Sequence, residues 1–145
     1  MLRKIPGIDQ LSAQYGERFA TVFVDAETGV LPDIAEGVSI NGLIDCKNKV
    51  TIEKDVFAGH DIMILTGTHD YRVFGEARRL STITKPVHIK EGAWLGTRCI
   101  ILPGVTIGEH AVIGAGAIVT KDILAYEVWA GSPARKIKDI PHGLV

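Results

Sequence analysis

The chain has 145 residues, enough for one domain with its own core. Sixteen basic residues against seventeen acidic ones give a formal net charge of −1, which argues against a general polyanion binder and so against a nucleic-acid partner. No stretch approaches a membrane span, the opening MLRKIPGIDQ lacks the apolar run of a secretory signal, and Cys46 and Cys99 lack metal-ligand spacing. The expectation is a cytoplasmic protein with reduced thiols, no metal and no membrane partner.

Residues 1–33 form a separate N-terminal segment. Ile8, Leu11, Tyr15 and Phe19 recur at helical spacing, which predicts a short helix. Its expected role is to cap the end of the structure that follows.

From Ile34 the chain reads in blocks of six. The first positions are Ile34, Ile40, Cys46, Ile52, Ala58 and Ile64, and the fifth positions are Val38, Ile44, Val50, Val56, Ile62 and Thr68. The pattern resumes at Ile83. Its first positions are then Ile83, Ile89, Leu95, Ile101, Ile107, Ile113 and Val119, and its fifth positions Val87, Ala93, Cys99, Val105, Ala111, Ala117 and Ile123. A strict period of six fits neither an α-helix nor an ordinary alternating strand. It fits a parallel β-helix of hexapeptide repeats, in which three blocks close one triangular coil and two side chains per block point inward. Coils then stack at roughly the 4.8 Å strand spacing. Cys46 and Cys99 fall on inward positions and read as core. The predicted β-helix domain spans 34–123.

Ile64 and Ile83 are nineteen residues apart, which is not a multiple of six. One block, 64–69, is therefore followed by an insertion, 70–82, that loops out of the coil and carries Tyr71, Arg72, Phe74, Arg78 and Arg79. Loops displayed on a rigid scaffold often carry function. After Ile123 the phase fails, because continuing it would place Trp129 in the narrow interior. Residues 124–145 are predicted to leave the coil as a C-terminal extension, with SPARKIKDI as a short basic helix.

The stretch IKEGAWLGTRCIILPGVTIGEHAVIGAGAIVTKDI, followed by VWAGSPARKIKDI, resembles the hexapeptide-repeat acetyltransferases, and most nearly the galactoside and maltose O-acetyltransferases. The resemblance extends over residues 34–140. It implies a left-handed β-helix, a hand that periodicity alone does not give. It also implies a homotrimer with active sites between neighbouring prisms and acetyl-CoA as the donor.

His69 is the candidate catalytic residue. It lies one past an inward position, where the coil breaks. Acyl transfer to a hydroxyl needs a base to take the proton, and neutral imidazole suits that task near pH 7. The segment TGTH at 66–69 matches the family segment that carries the catalytic histidine. His88 is a rival outward histidine with no adjoining insertion and no matching family role. His60, His110 and His142 read as solvated. What orients His69 stays open among Asp70, Asp61 and a backbone carbonyl.

The resemblance also implies the donor contacts. Trp94 is expected beside the pantetheine arm, and the Thr97 backbone N–H near the thioester carbonyl. Ala115, within GAGAIVTKD, is expected to offer backbone contacts, with Gly114 and Gly116 also serving turn geometry. Thr120, Lys121 and Arg135 are expected at the nucleotide end, where the phosphates require positive charge; Lys136 and Lys138 are weaker candidates. For the acceptor, a family asparagine aligns with Ser39, and Asn41 lies close by. Tyr71 and Arg72 on the insertion complete the expected acceptor contacts.

The expected reaction is direct transfer of acetyl from acetyl-CoA to a hydroxyl of a sugar-like acceptor, with His69 as general base and no acyl-enzyme. Alternatives are an amino-sugar N-acetyltransferase, a non-catalytic hexapeptide scaffold, and a γ-class carbonic anhydrase. The last needs three metal-bound histidines, two of them five residues apart, and no such pair exists here.

Overall fold

The computed structural model describes residues 21–143. The helix predicted from Ile8 to Phe19 lies outside the described residues. The rest is nearly all β and winds as a solenoid-like parallel β-helix with three faces. The first face stacks β1 (Thr21–Val24), β3 (Gly42–Asp45), β6 (Ile62–Ile64), β11 (Ile100–Ile101) and β14 (Ile118–Val119) in that order. The second stacks β2 (Asp33–Ile34), β4 (Val50–Ile52), β9 (Val87–Ile89) and β12 (Thr106–Ile107). The third stacks β5 (Phe57–Ala58), β10 (Trp94–Leu95), β13 (Val112–Ile113), β15 (Glu127–Gly131) and β16 (Ala134–Asp139).

The register explains the period of six. Ile44, Ile64, Ile101 and Val119 pair in one inward column on the first face. Ile34, Ile52, Ile89 and Ile107 form the second, and Ala58, Leu95 and Ile113 the third. Identical β-branched side chains stacked on a pleated surface pack without gaps. Between the second and third faces, the coil turns through left-handed residues, among them Asp55 (φ 61°), Gly92 (φ 69°) and His110 (φ 54°). Glycine takes this conformation at no steric cost, and aspartate and histidine tolerate it. Cys46 and Cys99 are fully buried in the core.

Two inward assignments fail. Thr68 and Ile83 are exposed, because the chain leaves the coil after Thr66. Residues β7 (Gly67–His69) and β8 (Thr82–Thr84) pair antiparallel with each other, with Thr68 opposite Ile83 and His69 opposite Thr82. The excursion therefore starts before residue 70 and includes Ile83. It is a projecting arm whose tip carries a short helix, α1 (Gly75–Leu80). The Arg78 guanidinium folds back on that tip, donating to the carbonyls of Val73 (2.6 Å) and Tyr71 (3.1 Å) and lying 5.1 Å from the Phe74 ring centre.

The tail also differs from expectation. The segment Ala134–Asp139 is a strand, not a helix, running antiparallel to β15. Continuing the pattern does set Trp129 in register with inward Ile113, yet the ring fits. It packs half-buried against the core, with its indole N–H donated to Glu127 (3.1 Å).

Neighbouring residues on one strand should differ sharply in their weight. Ile107 is fully buried whereas the Thr106 side chain faces out. Ile107→Ala should cost about 2–5 kcal/mol, and Thr106→Ala no more than about 0.5 kcal/mol, as read from urea-unfolding midpoints.

Candidate active site

The arm departs at the corner between the first and second faces, and a buried carboxylate holds its root. Asp45 is only 5% exposed. Its side chain accepts the backbone N–H groups of Lys47 (3.0 Å), Thr66 (3.1 Å) and Gly67 (2.9 Å). The buried Thr66 hydroxyl donates to the Asp45 carbonyl (3.0 Å) and accepts the Asn48 N–H (3.0 Å). The returning strand is tied to the same place, by Lys85 N–H to the Thr66 carbonyl (2.9 Å) and by the Asn48 amide to the Thr84 hydroxyl (3.0 Å). Burial pushes the Asp45 carboxyl up, but the three N–H donors and the Lys47 charge outweigh it and hold the group below the ordinary carboxylate range.

His69 stands two residues beyond this root, exposed on β7. It lines an open cleft of about 540 Å³. The arm supplies Asp70, Tyr71 and Arg72, and the coil supplies Leu102, Pro103 and Thr120. The imidazole has no hydrogen-bond partner among the described residues, which leaves its ring nitrogens open to a ligand. Neither candidate orienter reaches it. Asp70 is held in two 2.8 Å bonds by the Arg72 guanidinium, which keeps its carboxyl below the ordinary range. Asp61 belongs to a different corner, 3.5 Å from Arg98. Tyr71 is 81% exposed at the mouth of the cleft.

The remaining candidates lie elsewhere. Trp94 points out from the third face, 47% exposed, and stacks on Phe57 at 5.7 Å between ring centres. Ser39 bridges to Phe57 one rung further toward the N-terminus. Thr97 and Ala115 occupy successive turns at the corner between the third and first faces, linked by the Gly116 N–H to the Thr97 carbonyl (2.8 Å). Both residues are exposed, and among the described residues neither backbone N–H has an acceptor. Asn41 is at this corner too, accepting the Asp61 N–H (3.2 Å). Gly114 has a packing reason: a Cβ there would come within 2.8 Å of the Ala130 Cβ. Gly116 has a conformational one, at φ 71°. Thr120 and Lys121 return to the corner of the arm. Arg135 is exposed on β16, donating to the Ala134 carbonyl (2.9 Å). Lys136 is taken up by Glu127 and Asp139.

Thus His69, Thr120, Tyr71 and Arg72 share one cleft. Trp94, Thr97 and Ala115 flank a different corner, with the first face between the two groups. Its outward column, Val22, Leu43, Met63, Ile100 and Ile118, is apolar throughout.

The profile of the bacterial transferase hexapeptide family (six repeats) matches residues 86–121. The solved structure of a galactoside acetyltransferase in complex with coenzyme A is 30% identical, covers 96% of this chain and 74% of its own, and superposes with a TM-score of 0.72. The chain belongs to the hexapeptide-repeat acetyltransferase family. A maltose O-acetyltransferase from Clostridium difficile is 28% identical, with 92% of this chain and 75% of its own covered and a TM-score of 0.72. The galactoside O-acetyltransferase of Lactococcus lactis is 42% identical over 100 residues, covering 60% of this chain and 46% of its own. The chain spans less than half the length of the curated relatives that it matches.

Other histidines are committed elsewhere. His88 holds Glu53 at 2.7 Å on the second face. His110 and His142 are exposed, as expected, and both also touch Tyr126, His142 stacked at 4.0 Å and His110 tilted at 5.3 Å between ring centres. Burial pushes the Cys46 thiol up to about 11 and the Cys99 thiol to about 12, so neither is a nucleophile at neutral pH. Among the described residues no group of three His, Cys, Asp or Glu side chains could hold a metal ion. Sequence reasoning missed Asp45 and Phe57. Asp45 stands between the buried Ile44 and Cys46, where the pattern predicts an outward residue, and only the folded corner reveals its donors. Phe57 could have been found, since it is an outward aromatic in the same block position as Trp94.

Asp45→Asn should destabilise the protein by about 1.5–3 kcal/mol at neutral pH. The folded carboxyl lies below its unfolded value of about 3.9, so this contribution is complete above that pH and is lost as pH falls through the folded pKa. The gap between wild type and variant in urea unfolding should be flat near neutrality and narrow below about pH 4.

Proposed function

We propose that the chain is an acetyltransferase that moves acetyl from acetyl-CoA directly to a hydroxyl of a small, sugar-like acceptor. The observation that carries this reading is the unpartnered His69 imidazole in an open cleft, held there by a buried root. The neutral ring takes the acceptor proton as the hydroxyl oxygen attacks the thioester carbonyl. The tetrahedral intermediate collapses as the carbon–sulfur bond breaks, CoA leaves as the thiolate, and the proton passes from His69 to that sulfur. The free N–H of Thr97 would stabilise the oxyanion, and that of Ala115 would receive a pantetheine amide oxygen. Trp94 and Phe57 would offer the acyl end an apolar shelf. Thr120, Lys121 and Arg135 would meet the phosphates.

This chemistry needs both groups of residues at once, yet one chain holds them apart. The apolar first face and the Phe57–Trp94 shelf support closure of the site between copies in a homotrimer. The family relatives support the donor, because one solved neighbour holds coenzyme A.

His69→Ala should lower turnover about 10²–10⁴-fold and leave CoA affinity, read by calorimetry, nearly unchanged. Near-normal turnover would remove the base from the mechanism. Mixing unfolded His69→Ala and Trp94→Ala chains and refolding them together should restore activity that neither variant has alone. Failure of mixed oligomers to recover activity would place the whole site within one chain.

A further inference from the structure

The cleft beside His69 carries five titratable or charged side chains, His69, Asp70, Tyr71, Arg72 and Lys85. Asp70 and Arg72 cancel each other in a bidentate pair. The Lys85 ammonium has no carboxylate and no hydrogen-bond acceptor among the described residues. Lys85 is exposed, and the rest of the cleft is lined by apolar Leu65, Ile83, Leu102 and Pro103 and by the uncharged polar groups of Thr68, Tyr71 and Thr120. A cleft with one uncompensated cation and walls that supply no counter-charge selects a ligand carrying an anion.

Lys85 is also placed, not merely tethered. Its backbone N–H is bonded to the Thr66 carbonyl at the arm root (2.9 Å). Its stem lies along the next turn, where a Cβ on Gly104 would stand 3.0 Å from the Lys85 Cδ. Glycine holds that turn's φ of 85° without strain and leaves the lysine stem room. In the arm, Thr84 is opposite Gly67 and Thr82 opposite His69. Lys85 is therefore three residue steps from His69 along the ribbon, roughly 10 Å between backbones, and both line the same cleft.

We propose that Lys85 is the anion-recognising group of this cleft, taking an oxyanion of the bound ligand, phosphate or carboxylate, while His69 addresses the reacting hydroxyl. The inference rests on the acetyl-transfer reading only for what His69 does. The anion has two possible sources, the phosphates of the donor or a charged substituent on the acceptor.

The test follows backbone amide shifts of the full chain by NMR during titration with pyrophosphate, glucuronate, glucose and CoA, for wild type, Lys85→Met and Lys85→Arg. At least one anionic probe should shift the Gly67, Lys85 and Gly104 amides saturably. Lys85→Met should weaken that probe about tenfold, with Lys85→Arg restoring most of the loss. Glucose binding should be indifferent to Lys85. Weakened CoA binding in Lys85→Met assigns the anion to the donor; weakened glucuronate with unchanged CoA assigns it to the acceptor. The proposal is overturned if no anion moves these amides, or if Lys85→Met binds every probe as wild type does. Failure of the acetyl-transfer reading would show differently, as absent CoA binding or an active His69→Ala variant, and would leave the pyrophosphate and glucuronate titrations just as decisive.

Discussion

Everything in this molecule depends on the width of its interior. Each face contributes one short strand per coil, and only two side chains per block reach the centre. The three inward columns must therefore fill the lumen with small or aliphatic residues, rung after rung. Ile44, Ile64 and Ile101 on the first face and Ile52, Ile89 and Ile107 on the second satisfy that demand, and Ala93, Ala111 and Ala117 are small side chains fully buried beside them. Chemistry is thereby pushed outward. Residues free to vary sit on the outer faces, at the corners, and on the one segment that escapes the stack.

That division explains what could be read from the sequence. The inward columns announce themselves by repetition, because the same steric demand recurs every six residues. Cys46 and Cys99 were legible as core for the same reason. The pattern misled where its chemistry was met without its geometry. Thr68 and Ile83 have suitable side chains at the right count, yet their backbones pair with each other across the arm instead of with the rungs above and below. The tail misled in the opposite way. Trp129 looked too large for the interior, but it lies on β15, where the next strand is the antiparallel β16 and the ring packs half-buried against the core. Nothing in the spacing of ARKIKD marks a strand; the segment is one because it pairs antiparallel with β15, where Lys136 also meets Glu127.

The site was legible in its parts and not in its assembly. His69 was marked by the break in phase, and Trp94 by being an aromatic on an outward position. Periodicity cannot say which corner a residue occupies relative to the arm, so the separation of His69 from Thr97 and Ala115 emerges only from the fold. Asp45 carries no sequence signal at all. Its importance lies in three N–H groups, two of which come from residues more than twenty positions away.

The closure of the arm root has a wider consequence. Thr66 and Lys85 are joined by a hydrogen bond of 2.9 Å, so the ends of the excursion meet whatever lies between them. Lengthening a loop whose ends are already pinned costs only about 0.6 kcal/mol per doubling, and no core residue lies in the intervening chain. The arm is in effect an exchangeable cassette. Its length and side chains can change while the stack that positions His69 stays as it is.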